Sequence, residues 1–291
     1  MVLTLSAVLL AATAAAPGPD ARARDVLAQS RAALGGRAVR GLSLEADLRR
    51  VQPLEGGETR DISGEVTVDV QVPDHYLKVE TLSPMPGGPS FSVGTGLDGQ
   101  EAWRAPMGTP GGGAHIVVRV ADGEGPAAAG ALLRRTRAEM LRVLLLALAA
   151  APGDEGWAFT HAGEAEAPEG RAELVEVGDG QGPVGTLFVD KASHRPLLVS
   201  FKTMAPRMQM MRAEGPREAH RIQQEAEQRR PAAPGPEVEA RLYVSEWKAV
   251  DGLLLPHRLT QTIEGGASEE WTVRRWKIDP DFKPGHFKKQ K

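Results

Sequence analysis

Val184–Lys202, VGTLFVDKASHRPLLVSFK, is two strands joined by a polar turn. Thr186, Phe188 and Asp190 alternate with Leu187 and Val189, and Leu197, Val199 and Phe201 resume the alternation after Asp190–Pro196. Period two, with β-branched and aromatic residues on both sides of turn residues, is the pattern of a β-hairpin. The same pattern returns over Tyr243–Trp276. The chain therefore reads as an antiparallel sheet made of long hairpins.

The stretches around it extend that sheet. In Leu42–Val51, Leu42, Leu44, Ala46 and Leu48 alternate with Ser43, Glu45, Asp47 and Arg49. Ile62–Val72 puts Val66, Val68, Val70 and Val72 on one face, and Pro73-Asp74 turns the chain into His75–Leu82. Such strands bury their apolar face and turn the polar one to solvent. Phe91 and Val93 open a strand leading to Gly96–Trp103, and His115–Val120, Trp157–His161, Arg171–Val177, Val238–Trp247, Leu253–Ile263 and Glu269–Ile278 complete the set. Asn is absent, so Asn-Gly turns are unavailable, and the 33 Gly and 22 Pro must carry the connections.

Two stretches carry helical periodicity. Arg22–Leu34 gathers Val26, Leu27, Ser30 and Leu34 near one face and stops at Gly35-Gly36. Ala127–Ala151 is the main helix. Its first half sets Leu133, Met140, Leu141, Leu144 and Leu148 opposite Arg134, Arg135 and Arg142. Its second half, Val143–Ala151, is apolar on every side, so it must be covered on several sides or be uncovered when something moves.

Composition narrows the function. Charged residues at 25% and hydrophobics at 41% describe an ordinary globular chain, and a net charge of −3 lacks the basic excess of a nucleic-acid binder. There is no Cys, which removes disulfides, thiolate chemistry and a lipid-anchored Cys. Val2–Ala16 is apolar or small, ends in Ala-Ala-Ala and precedes Pro17-Gly18-Pro19, the form of a secretory signal's core and cleavage zone, without a Lys or Arg before it. The segment is short for a membrane span. The expectation is a signal peptide over 1–16 and a soluble, exported, periplasmic protein, against the alternative of an apolar N-terminal helix in a cytosolic one.

Local motifs give little chemistry. Gly94-Thr-Gly96-Leu-Asp-Gly99 matches G-x-G-x-x-G, but Gln100-Glu-Ala-Trp103 and Pro106 follow where a dinucleotide site needs a helix, so it reads as a turn. Ser90-Phe-Ser92-Val-Gly94 lacks the first Gly of a nucleophile elbow. The seven His are scattered, with no H-E-x-x-H, so neither an enzyme nor a metal centre is expected. Met204, Met208 and Met211 fall at helical spacing beside Met210. They are read as a core stripe, as a pliable apolar cover or as a soft thioether site for Cu(I). Pro216–Arg230 has i,i+4 pairs Arg221–Glu225 and Glu225–Arg229, the mark of a solvated helix face, before the linker Pro231–Pro236. The basic tail Lys283–Lys291 offers at most weak attraction to an anionic membrane.

In sequence order, DVLAQSRAALGG, LSLEADLRRV, VTVDVQVPDHYLKVET, GLDGQEAW, the apolar central helix, VDKASHRPLLVSFK, VDGLLLPHRLTQT and EEWTVRRWKID form a pattern. From about Arg22 onward it resembles the outer-membrane lipoprotein carrier and receptor family (LolA/LolB-like). The resemblance implies an α+β fold: a strongly curved antiparallel sheet, an incomplete β-barrel, covered by helices around an apolar acyl-chain cavity. It implies one half-barrel domain over 22–291, with 204–236 a helical or linker insertion that the compact carriers lack. Arg49 or Arg50 on the first strand could serve as the carrier's lid-locking arginine.

The expected activity is binding or carriage of a lipid or lipoprotein acyl chain without catalysis, metal or cofactor. Met140, Leu141, Leu144 and Leu148 are expected to line the cavity, under a cover of Met204, Met208 and Met211. Besides the acyl chain, a transient envelope-protein partner is expected, and no nucleic acid or stable membrane span. The alternatives are an envelope sensor or protein-interaction module of the same fold, and a Met-based copper protein.

Overall fold

The computed structural model describes residues 20–53, 59–83, 88, 90–107, 116–118, 126–151, 156–167, 170–204, 210–212, 221, 237–263 and 268–289. The elements in order are α1 (Ala21–Ala33), β1 (Gly41–Pro53), β2 (Thr59–Gln71), β3 (His75–Ser83), β4 (Phe91–Asp98), β5 (Glu101–Pro106), β6 (Ile116–Val118) and α2 (Pro126–Leu148). They continue with β7 (Ala158–Ala167), β8 (Gly170–Gly178), β9 (Pro183–Asp190), β10 (Pro196–Met204), β11 (Met210–Arg212), β12 (Glu237–Val250), β13 (Leu253–Ile263) and β14 (Ser268–Ile278).

Twelve strands form one antiparallel sheet in the order β5-β4-β3-β2-β1-β14-β13-β12-β10-β9-β8-β7. It is not closed: β5 and β7 are its two edges. Almost every neighbour is also next in sequence, because antiparallel hairpins need only short turns. The junction of the two halves is β1 against β14, which joins the first strand of the sheet to the last, Leu42 opposite Ile278 and Val51 opposite Ser268. The short strands β6 and β11 pair apart from the sheet.

The apolar alternation of the strands becomes one core on the face that carries the helices. Leu42, Leu44, Ala46 and Leu48 of β1, Val66, Val68 and Val70 of β2, and Leu187 and Val189 of β9 are buried there with α2 and with Ala23, Val26 and Leu27 of α1. Asp20 caps α1, its carboxylate accepting from the Ala23 N–H at 2.7 Å and, through its other oxygen, from the His161 N–H at 2.7 Å. One side chain thus ends the helix and ties it to β7.

The hairpin turn is built by Asp190, which accepts from the backbone N–H of Ser193 at 2.7 Å and from its hydroxyl at 2.5 Å. The register then shifts between Pro196 and Leu198. That irregularity corrects the expected alternation: Val199 and Phe201 are buried, but Leu197 is 40% exposed. The G-x-G stretch is a strand and turn, as expected. Gly94 and Gly96 lie on the outer face of β4 under the Trp103 indole, where a Cβ at Gly96 would sit 2.3 Å from the ring. Gly99, at φ +64°, makes the two-residue link from β4 to β5.

Three further expectations are corrected. On β3, Leu77 and Val79 face outward and are covered by Trp103 and Phe287, so Lys78 and Glu80 point inward with Tyr76 and Leu82 instead of to solvent. Arg142 does not sit on the solvent side of α2; its guanidinium lies 3.9 Å from the Phe201 ring centre. The helical spacing of the methionines is not the backbone's own: Met204 ends β10, and Met210–Arg212 is a strand whose register on Val118–Ile116 suits period two. The signal over 1–16, Met208 and all but Arg221 of Pro216–Arg230 lie outside the described residues.

Candidate functional site

The second half of α2 is the centre of the site. Met140, Leu141, Leu144 and Leu148 are 1%, 0%, 2% and 7% exposed, and Val143, Leu145, Leu146 and Ala147 between them are equally buried. Three or four buried residues per two turns would suffice for a helix lying on a sheet. Here every position of two turns is covered. The helix touches β4 and β5 at one edge of the sheet, β9 and β10 near the other, and β13 between them. Of the expected site residues, the four on α2 are thus brought together. Met204 lies at the end of β10 and Met211 in β11.

Beside this apolar mass, the same face of the sheet carries a charged network that strand alternation did not reveal. Arg50 donates from Nε to Glu269 at 2.6 Å and from Nη2 to Glu80 at 2.6 Å. Lys78 lies 3.7 Å from the other oxygen of Glu80 and donates to Glu139 on α2. Arg50 and Glu80 are 20% and 8% exposed at the side chain, so these are desolvated pairs whose separation would strand a charge.

Burial pushes the Glu80 carboxyl up, but Lys78 and Arg50 beside it more than reverse this and bring it down to about 2. Burial likewise pulls the Lys78 ammonium down, and Glu139 and Glu80 raise it above its ordinary value. Both groups stay charged at neutral pH. Arg142 is held lower by burial, partly offset by Glu139. The sequence signal for this network was present but ambiguous: Lys78 and Glu80 sit two apart on one strand, as solvent-facing pairs also do.

Of the two first-strand arginines, Arg49 faces away from the helices and pairs with Asp61 at 2.8 Å, both exposed. Arg50 is the one under the helix-bearing face. Three histidines lie beside carboxylates at separate places: His161 by Glu173 at 2.6 Å, His286 by Asp69 at 2.7 Å, and His75 between Asp74 at 2.9 Å and Asp98 at 3.1 Å. Among the described residues no three His, Asp or Glu are grouped to hold a metal ion, and no helix is long and apolar enough to cross a membrane.

No protein-family model matches the chain, and no curated protein sequence matches it. In fold it is similar to several solved structures. A LolA superfamily protein from Nitrosomonas europaea is 10% identical, with 92% of this chain and 97% of that one covered and a TM-score of 0.47. A putative outer membrane lipoprotein-sorting protein domain from Vibrio parahaemolyticus is 11% identical over 91% and 97%, at 0.46. A DUF1329 family protein from Desulfovibrio piger is 10% identical over 93% and 98%, at 0.46.

Proposed function

We propose that this protein binds a hydrophobic ligand, the acyl chain of a lipid or lipoprotein, in the periplasm and without chemical turnover. The observation that carries the proposal is the apolar end of α2, Val143–Leu148 buried on every side, in a helix that reaches β4 and β5 at one side of an open sheet and β9 and β10 toward the other. On a flat sheet, β5 and β9 would lie about 43 Å apart at the usual strand spacing. A helix of 23 residues is only about 35 Å long. For α2 to touch both, the sheet must curl round it into a half-barrel.

Lifting α2 then uncovers a continuous apolar wall from β1 to β10, which only a hydrophobic ligand would cover again. Met140, Leu141, Leu144 and Leu148 would face that ligand from the helix side. Met204, Met208 and Met211 would supply the adaptable part of the cover, since an unbranched thioether fits many shapes.

Gentle purification followed by organic extraction and mass spectrometry tests the reading. Copurified lipid, or saturable uptake of a fluorescent fatty acid, is the expected result. Protein that carries none and takes up none sinks it. The tight burial of the α2 leucines favours a second reading, an envelope sensor or protein-interaction module whose cradle is already filled by its own helix. A stable protein partner, together with no lipid in the extract, would be its signature.

A further inference from the structure

On the helix-bearing face, adjacent registers bring three residues into a row: Lys78 of β3 is opposite Thr95 of β4, and Thr95 is opposite Arg104 of β5. The strand spacing puts the Lys78 and Arg104 backbones about 10 Å apart, within reach of two long side chains bent toward each other. Tyr76, two residues before Lys78, projects from the same face and is 0% exposed.

Two polar groups of this patch are unsatisfied. The Tyr76 hydroxyl and the Arg104 Nε are buried and have no hydrogen-bond partner among the described residues. Buried donors normally find one, and leaving one without is costly to the folded state. A donor pair kept at that cost on a ligand-facing wall awaits an acceptor.

The charges around the patch say which acceptor. Lys78 already donates to a carboxylate, that of Glu139, but Glu139 belongs to α2. When α2 lifts, Glu139 and Arg142 leave with it. What stays on the sheet is Arg50, Lys78 and Arg104 against Glu80 and Glu269, with both carboxylates bonded to Arg50. The open wall thus holds a surplus of one positive charge at its β3–β5 end. The opposite strands β9 and β10 offer Leu187, Val189 and Val199 there instead.

We propose that Tyr76, Lys78 and Arg104 form an anion subsite that receives the carboxylate or phosphate headgroup of an acyl amphiphile whose chain lies along the α2 cradle. The assignment rests on the acyl-binding reading and adds to it the class and orientation of the ligand. Glu139 acts as the internal stand-in for the headgroup, so entry of the ligand exchanges one carboxylate for another oxyanion at Lys78.

The test compares a fluorescent fatty acid, its methyl ester and inorganic phosphate on the intact protein and on Tyr76→Phe, Arg104→Gln and Glu139→Gln. A charge-assisted hydrogen bond leads to a preference of about tenfold for the acid over the ester in the parent protein. Tyr76→Phe and Arg104→Gln should erase most of that preference by weakening the acid far more than the ester, while Glu139→Gln should tighten the acid alone. The Tyr76 hydroxyl and the Arg104 Nε make no hydrogen bond among the described residues for either substitution to remove, though Arg104→Gln also takes a positive charge from beside Glu80, so thermal melting checks that both variants stay folded.

Equal binding of acid and ester, or a preference that survives both substitutions, overturns the subsite and leaves acyl binding standing. If neither amphiphile binds, acyl binding fails and phosphate calorimetry decides the subsite by itself. Heat that vanishes in Arg104→Gln then marks a site for a free anion. No heat, or heat equal in all variants, overturns it.

Discussion

Gly96 and Glu80 show how single positions are held by opposite means. Gly96 is constrained by space: its missing Cβ is where the Trp103 ring lies, and Trp103 in turn donates from Nε1 to the Phe287 carbonyl at 2.8 Å. Gly96→Ala should cost about 1–3 kcal/mol through overpacking. It should also shift the tryptophan emission, with thermal melting and fluorescence as the readouts. Unchanged values would mean that the indole has room to move.

Glu80 is constrained by charge. Its folded carboxyl titrates near 2, below the ordinary 4.5, because Lys78 and Arg50 outweigh burial. A depressed acid contributes stability that is complete above pH 4.5 and is lost as pH falls through the folded value. The loss between pH 4.5 and 2 should approach about 3 kcal/mol. Urea unfolding at steps across that range measures it. In Glu80→Gln, overall stability should drop at neutral pH, and the slope over the same acid window should flatten.

Among the elements, α2 divides into an exposed first half and a buried second half, and substitutions should follow that division. Gly130 sits in the exposed half, and a methyl group added to it would meet nothing within 4 Å. Gly130→Ala should therefore stabilise the protein by about 0.5–1 kcal/mol through helix propensity alone. Leu145, 1% exposed in the second half, should cost about 2–5 kcal/mol when cut to Ala. Denaturant midpoints separate the two. If Leu145→Ala is neutral, the cradle around α2 is not packed as described.

β3 marks the limit of reading elements from their pattern. Its alternation of Leu77 and Val79 with Lys78 and Glu80 is the pattern of a strand with one solvent face, yet both its faces are covered. Period two says that two faces differ. It does not say which of them meets the core.

At the scale of the whole molecule, β1 pairs with β14 and one contiguous core runs from α1 and β1 through α2 to β14. The two hairpin halves therefore share their central ladder and their hydrophobic interior. Heating should give one transition, with the circular dichroism and tryptophan signals coincident. Two separated transitions would mean that the halves on either side of the β1–β14 seam fold independently.

The strands of the twelve-stranded sheet, the two helices and the turn at Asp190 were legible from local pattern, whereas the strand at Met210–Arg212 was not. Alternation, helical stripes and turn residues act over a few neighbours, and neighbours are what a chain displays. The inward turn of Lys78, the placing of Arg142 over Phe201 and the joining of the sheet's two halves at β1–β14 were not. Each depends on partners more than 50 residues away: Glu139 for Lys78, Phe201 for Arg142, the last strand for the first. For the stretch Val184–Lys202, the hairpin follows from its own residues. Its buried face was decided by α2 and by the strands that pack beside it, and the outward turn of Leu197 goes with the register shift between Pro196 and Leu198.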